Sequence, residues 1–136
     1  MSAMADRSAD WVAQAERDLD QARASQRDGR HEWACFAAQQ SAEKAVKALH
    51  LSLGQDAWGH VVGRLLRELP VPVEETLVDK GRYLDTLYMP TRDANGHQEG
   101  APFEHYGSLQ SNLAIEYAGE ILAFVRSLMA ESGTGG

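Results

Sequence analysis

From about Arg30 to Leu53 the chain reads as one long helix that other helices must surround. Ala34, Cys35, Ala38, Ala42, Ala45, Val46, Leu49 and Leu53 recur at three- and four-residue spacing and trace a single apolar stripe. Trp33, Phe36 and Ala37 widen it until the first half is apolar on nearly every side. A helix of that kind is central and packed by several neighbours. Its many alanines leave room for those neighbours to come close, and Gly54 stands where a helix C-terminus favours glycine.

The flanking segments supply the neighbours. Trp11, Val12, Ala15, Leu19 and Ala22 share one helix face, with Ser8 as the expected N-cap and Asp28-Gly29 as the stop. Val61, Val62, Leu65, Leu66 and Leu69 predict a shorter helix that ends at Pro70. Pro72, in a first turn with Glu74 and Glu75, then opens a helix carried by Val73, Leu77, Leu84 and Tyr88 as far as Pro90. A last helix starts near Ser108 and presents Leu113, Tyr117, Ile121, Phe124, Val125 and Leu128. No segment alternates with a two-residue period. The expected fold is all-α: an antiparallel up-and-down bundle of four long helices plus one short one. Residues 1–136 fit a single domain, with frayed tails over about 1–7 and 131–136.

Several function classes fall away on composition. A formal net charge of -7 argues against a general DNA or RNA coat, which needs Lys and Arg to neutralise phosphates. Cys35 is alone, so no disulfide framework is expected within one chain. No apolar run approaches the ~18–20 residues that span a bilayer, and Asp6, Arg7 and Asp10 interrupt any export signal. The expected compartment is the cytoplasm. No His, Cys and carboxylate set has zinc spacing, so neither metal nor cofactor is expected.

The connection from about 90 to 107 breaks the pattern of short turns. Loops beyond ~12–15 residues without structure of their own are usually functional or disordered. This one carries His97 and His105.

The run Trp33-Ala-Cys-Phe-Ala-Ala-Gln-Gln-Ser-Ala-Glu-Lys-Ala-Val-Lys-Ala-Leu49 resembles the HEPN family, with its small residues, paired glutamines, Glu-Lys and a second Lys one turn on. Gly59-His60, Tyr88, Pro90 and Thr91-Arg92 strengthen the resemblance, which runs from Trp11 to about Leu128. It implies a helical bundle that commonly forms homodimers. It also implies one of three roles: a nucleotide-binding partner of a small nucleotidyltransferase in a toxin-antitoxin-like pair, a metal-independent endoribonuclease, or a purely structural dimerising subunit.

Two constellations carry these roles. Arg92-Asp-Ala-Asn-Gly-His97 fits the ribonuclease spacing, with Asp93 the polar residue after the arginine. There His97 would exchange a proton with a ribose hydroxyl or leaving oxygen, and Arg92 would hold the phosphate. For nucleotide binding the candidates are Gln40, Lys44, Lys47, Arg92, His105 and Tyr106: lysines and arginine for phosphate, the glutamine for a base or ribose. Glu43 and Lys47 also read as an ordinary surface pair at helical spacing. His60 is expected to cap or pack at the start of its helix, and His31 and His50 to face solvent. Trp11, Trp33 and Trp58 are expected in the core or at a dimer interface.

Overall fold

A computed structural model describes residues 6–134, the remainder of the expected frayed tails lying outside the described residues. Six helices follow in order: α1 (Ser8–Arg27), α2 (His31–Ser52), α3 (Val62–Arg67), α4 (Glu75–Asp85), α5 (Pro102–His105) and α6 (Ser108–Thr134). Four of them are long, no strand occurs among the described residues, and the bundle is the all-α architecture that the periodicity predicts. None of these helices is long and apolar enough to cross a membrane.

The alanine-rich α2 is the central rod. It packs chiefly on α1 and α6 and also meets α3, α4 and α5. Ala34, Ala38, Ala42, Ala45 and Ala48 are each 0% exposed, which lets helix axes approach on several sides. Leu49, Leu66, Leu84, Ile121 and Leu122 fill the interior between them. Burying each such side chain is worth ~1.5–3 kcal/mol.

Both ends of the α1–α2 hairpin are closed by the same device. Gly29 (φ 76°) and Gly54 (φ 77°) take the left-handed conformation that ends a helix. After α1, the Gly29 and Arg30 amides donate to the Gln26 and Ser25 carbonyls at 3.0 and 2.8 Å. After α2, the Gly54 and Gln55 amides donate to the Leu51 and His50 carbonyls at 3.0 and 2.9 Å.

Other boundaries differ from expectation. Ser8 lies inside α1 rather than capping it. The Asp6 carboxylate accepts from the Ser8 amide at 2.8 Å, and bonds from Ser8 hold the Asp6 carboxyl below the usual range. α4 starts at Glu75, beyond Pro72 and Val73, and stops at Asp85 instead of running to Pro90. From Thr86 to Tyr88 the amides reach back three residues, to Tyr83, Leu84 and Asp85, so the chain tightens out of the α-helix. The Asp85 carboxylate meanwhile accepts from the Val62 and Gly63 amides at 2.6 and 3.0 Å, capping α3 from α4. Burial pushes the Asp85 carboxyl up, and those two amide bonds pull against it.

None of the three tryptophans enters the core. Trp58 is 83% and Trp33 47% exposed, and Trp11 is half-buried. His50, expected in solvent, is buried between α2 and α3, with Nε2 donating to the Leu65 carbonyl at 2.8 Å and Nδ1 3.1 Å from Gln55 Oε1. His31 is half-buried, its Nδ1 2.8 Å from Ser111 Oγ on α6.

Cys35 sits fully enclosed in α2, and burial pushes its thiol up to about 12, with Glu32 adding to the shift. The thiolate is the reactive form. The native chain is therefore expected to resist a disulfide-exchange reagent at pH 8 and to react fully in denaturing urea. Rapid labelling without denaturant would overturn that expectation.

Candidate functional site

The seam between α1 and α2 gathers most of the candidate side chains. Trp33, Ala37, Gln40, Lys44, Lys47 and Leu51 form one continuous stripe along α2, each three or four residues from the next. Facing them on α1 are Trp11, Asp18, Gln21 and Ser25. Two grooves open along this seam.

The first groove encloses about 450 Å³ near the start of α2, with Arg30, Trp33, Phe36, Gln40 and Lys44 among its walls. Gln40 Nε2 donates to Gln39 Oε1 at 2.7 Å, which leaves the Gln40 side-chain oxygen toward other donors. Lys44 Nζ reaches Asp18 Oδ2 at 2.5 Å across the seam. Phe36 connects the groove to the long connection, because the Arg92 guanidinium lies 4.1 Å from the Phe36 ring centroid and 5.0 Å from that of Tyr88. Arg92 also donates through Nε and Nη2 to the Tyr88 carbonyl at 3.2 and 3.1 Å. Aromatic faces thus hold the Arg92 cation against Phe36, one wall of a cleft that also offers amide and ammonium groups.

Lys47 belongs to the second groove. This one holds about 380 Å³ and is lined by Trp11, Lys47, Leu51, Ala57, Trp58 and His60, together with Asp56 and Gly59. Behind it runs a buried polar chain. Glu43 is 5% exposed at its side chain and receives Lys47 Nζ at 3.0 Å, Gln39 Nε2 at 3.3 Å and His60 Nδ1 at 3.2 Å. The Glu43–Lys47 pair is therefore an interior ion pair, not the solvated surface stripe that its spacing suggests. His60 neither caps α3 nor packs beneath it. Its ring stacks on Tyr88 at 5.0 Å and remains 57% exposed.

The long connection is structured. Asp93 accepts from the Asn95 amide at 2.9 Å and starts a 3₁₀ turn over Ala94–Gly96, and α5 follows. His97 and His105 stack at 3.9 Å with their planes 5° apart, and Tyr106 meets His97 edge-on at 5.7 Å. A carbonyl only accepts, so His97 Nε2 carries a proton and donates it to Pro90 at 2.7 Å, as His105 Nε2 does to Glu99 at 2.6 Å. Burial pushes the Tyr106 hydroxyl up, with Cys35 and Tyr83 adding to it.

Of the sequence candidates, the structure brings Gln40 and Lys44 to the first groove, packs Arg92 on Phe36 of its wall, and puts Lys47 in the second. His97, His105 and Tyr106 form a cluster of their own on the connection. Sequence reasoning missed Trp33, Phe36, Trp58 and His60 as groove walls. The signal available was the stripe itself, which carries Trp33 and Leu51 in the same register as Gln40, Lys44 and Lys47. Among the described residues, no group of three or more His, Cys, Asp or Glu could hold a metal ion.

The sequence pattern of the HEPN domain matches residues 8–128. The chain is 46% identical to TT1696 from Thermus thermophilus, covering 90% of this chain and 98% of that one, with a TM-score of 0.88. It is 37% identical to ST0689, described as an archaeal HEPN homologue, over 90% and 98% of the two chains (TM-score 0.80). An HEPN domain protein from Thermotoga maritima is 32% identical over 88% and 97% (TM-score 0.72). No curated protein matches the chain.

Proposed function

The chain belongs to the HEPN domain family, and from that premise we propose that it binds a nucleotide, acting as a homodimer beside a small nucleotidyltransferase in a toxin-antitoxin-like pair. The observation that supports the binding reading most is the first groove. Trp33 and Phe36 offer ring faces to a base, Gln40 an amide to a base edge or ribose, and Lys44 and Arg30 donors to a phosphate, while Arg92 packs on the Phe36 ring. Such sites are concave and largely apolar, with a few placed polar groups. In a chain of net charge -7, two cations, Lys44 and Arg30, each paired with an aspartate and set beside two aromatic rings, are the feature that suits an anionic, planar ligand.

The ribonuclease reading draws less support. Arg92 donates to Tyr88, Asp93 accepts from Asn95 and His97 donates to Pro90, so each motif residue spends its bonds on local backbone.

Titration of the purified chain with AMP and ATP, followed by tryptophan fluorescence and calorimetry, tests the reading. Quenching with saturable heat is expected. Trp33→Ala should weaken binding ~10-fold or more, since stacking on one base is worth ~1–3 kcal/mol. A folded chain that gives neither signal at millimolar nucleotide would end the proposal. Co-expression with a small nucleotidyltransferase tests the partnership separately: co-elution supports it, and separate elution does not.

A further inference from the structure

The second groove has no part in the binding of one nucleotide, yet it repeats the chemistry of the first. Trp58 is 83% exposed beside the half-buried Trp11, an arrangement that leaves a large indole face uncovered at the groove mouth. His60 Nδ1 is committed to Glu43, so its Nε2 is the ring nitrogen turned to other partners. Lys47 gives one donor to Glu43 and keeps two more on its ammonium group. Ring faces with amine and imidazole nitrogens beside them are what a base with polar edges requires.

The two grooves are not unrelated surface features. Gln40 and Lys44 in the first, and Lys47 and Leu51 in the second, belong to one stripe of α2, and Asp18 on α1 joins Lys44 between them. From Phe36 to Lys47 the helix advances ~17 Å. We infer that the α1–α2 seam is one cleft with two stations, and that its ligand carries two nucleobases joined by a phosphate-bearing linker of about that span. The inference rests on the nucleotide reading of the first groove and deepens it. One base lies against Trp33 and Phe36, the other between Trp11 and Trp58, and the linker crosses the ammonium groups of Lys44 and Lys47. Asp18 and Glu43 neutralise part of that charge, so the stacking stations carry most of the affinity and the linker adds little of its own.

Joining two weak stations in one ligand makes the second binding event intramolecular, and that raises affinity without a new contact. The experiment compares AMP, diadenosine tetraphosphate and the trinucleotide ApApA by calorimetry on wild type, Trp58→Ala and Trp33→Ala. At least one two-base probe is expected to bind ~10-fold or more tighter than AMP. Trp58→Ala should remove that gain while AMP still binds, whereas Trp33→Ala should weaken every probe. Trp58 is largely in solvent, so its loss should not disturb folding, which circular dichroism checks. A gain with the tetraphosphate alone assigns a polyphosphate linker, and a gain with ApApA alone a phosphodiester one. AMP binding with no gain from either probe, or a gain that survives Trp58→Ala, overturns the two-station cleft and leaves the nucleotide reading standing. Two independent AMP equivalents per chain without a two-base gain overturns it as well. Failure of all probes, AMP included, removes both.

Discussion

Glu43→Ala is expected to lower unfolding free energy by ~3–5 kcal/mol, read as a fall in the urea midpoint with an unchanged slope. The carboxylate is 5% exposed and serves Lys47, Gln39 and His60 at once. Its removal leaves the 14%-exposed Lys47 ammonium without its counter-charge on the inner side of the seam. It also takes an acceptor from Gln39, which is 0% exposed. An unpaired buried charge costs far more than the pair contributes when intact. Glu43→Gln keeps an oxygen for one of the donors and loses the charge, so it should fall between wild type and Glu43→Ala. Equal midpoints for wild type and Glu43→Ala would show that water reaches the site and replaces the carboxylate.

The second large effect is at the α3–α4 joint. Gly81→Ala is expected to destabilise by ~1–3 kcal/mol, the usual range for overpacking. A Cβ at position 81 would stand 3.0 Å from Leu66 Cδ1 and 3.2 Å from both the Gly63 amide nitrogen and Val62 Cγ1. The Gly63 nitrogen is backbone and is already held by Asp85, so it cannot yield without loosening the α3 cap. Gly119→Ala on α6 is the matched control, because a Cβ there meets nothing within 4 Å. In a helix interior that change should stabilise by ~0.5–1 kcal/mol. Opposite shifts of the melting midpoint are the expected pair of results. Two upward shifts would mean that helix propensity, not the close approach at Gly81, governs both positions.

The fold is legible in the sequence because apolar periodicity reports which face of a helix is covered. The stripe from Ala34 to Leu53 and the turn signals at Gly29 and Gly54 need no tertiary information. The same logic misplaces polar residues that are buried because a partner awaits them. Gln39, Glu43 and His50 lie on the covered face of α2, but their partners, the His60 carbonyl, the His60 ring and the Leu65 carbonyl, come from a connection and helix beyond α2. The end of α4 escapes prediction for a related reason. Leu84 and Tyr88 keep helical spacing, while the Asp85 side chain is diverted to another helix and the backbone tightens behind it. At the candidate site, Gln40, Lys44 and Arg92 are legible as residue types with a common chemistry. The approach of Arg92 to Phe36 depends on how the residues after α4 return across α2, which spacing does not encode. The tryptophans are misplaced by the rule that large apolar side chains go inside. That rule runs one way only, and the exposed indoles are the informative exceptions.

The α1–α2 hairpin has a consequence for the order of events during folding. Its helices are joined by Asp28, Gly29 and Arg30 alone, so their contacts close small loops, while the contacts of α6 with α1 and α2 close loops through most of the chain. Closing a small loop costs less entropy, and local contacts form first in helical proteins. Both walls of the two-groove seam come from this hairpin, apart from the residues after α2 that carry Trp58 and His60. The first groove is thus expected to assemble before α6 finds its place. Docking of α6 is then expected to complete the core behind a cleft whose near end already exists.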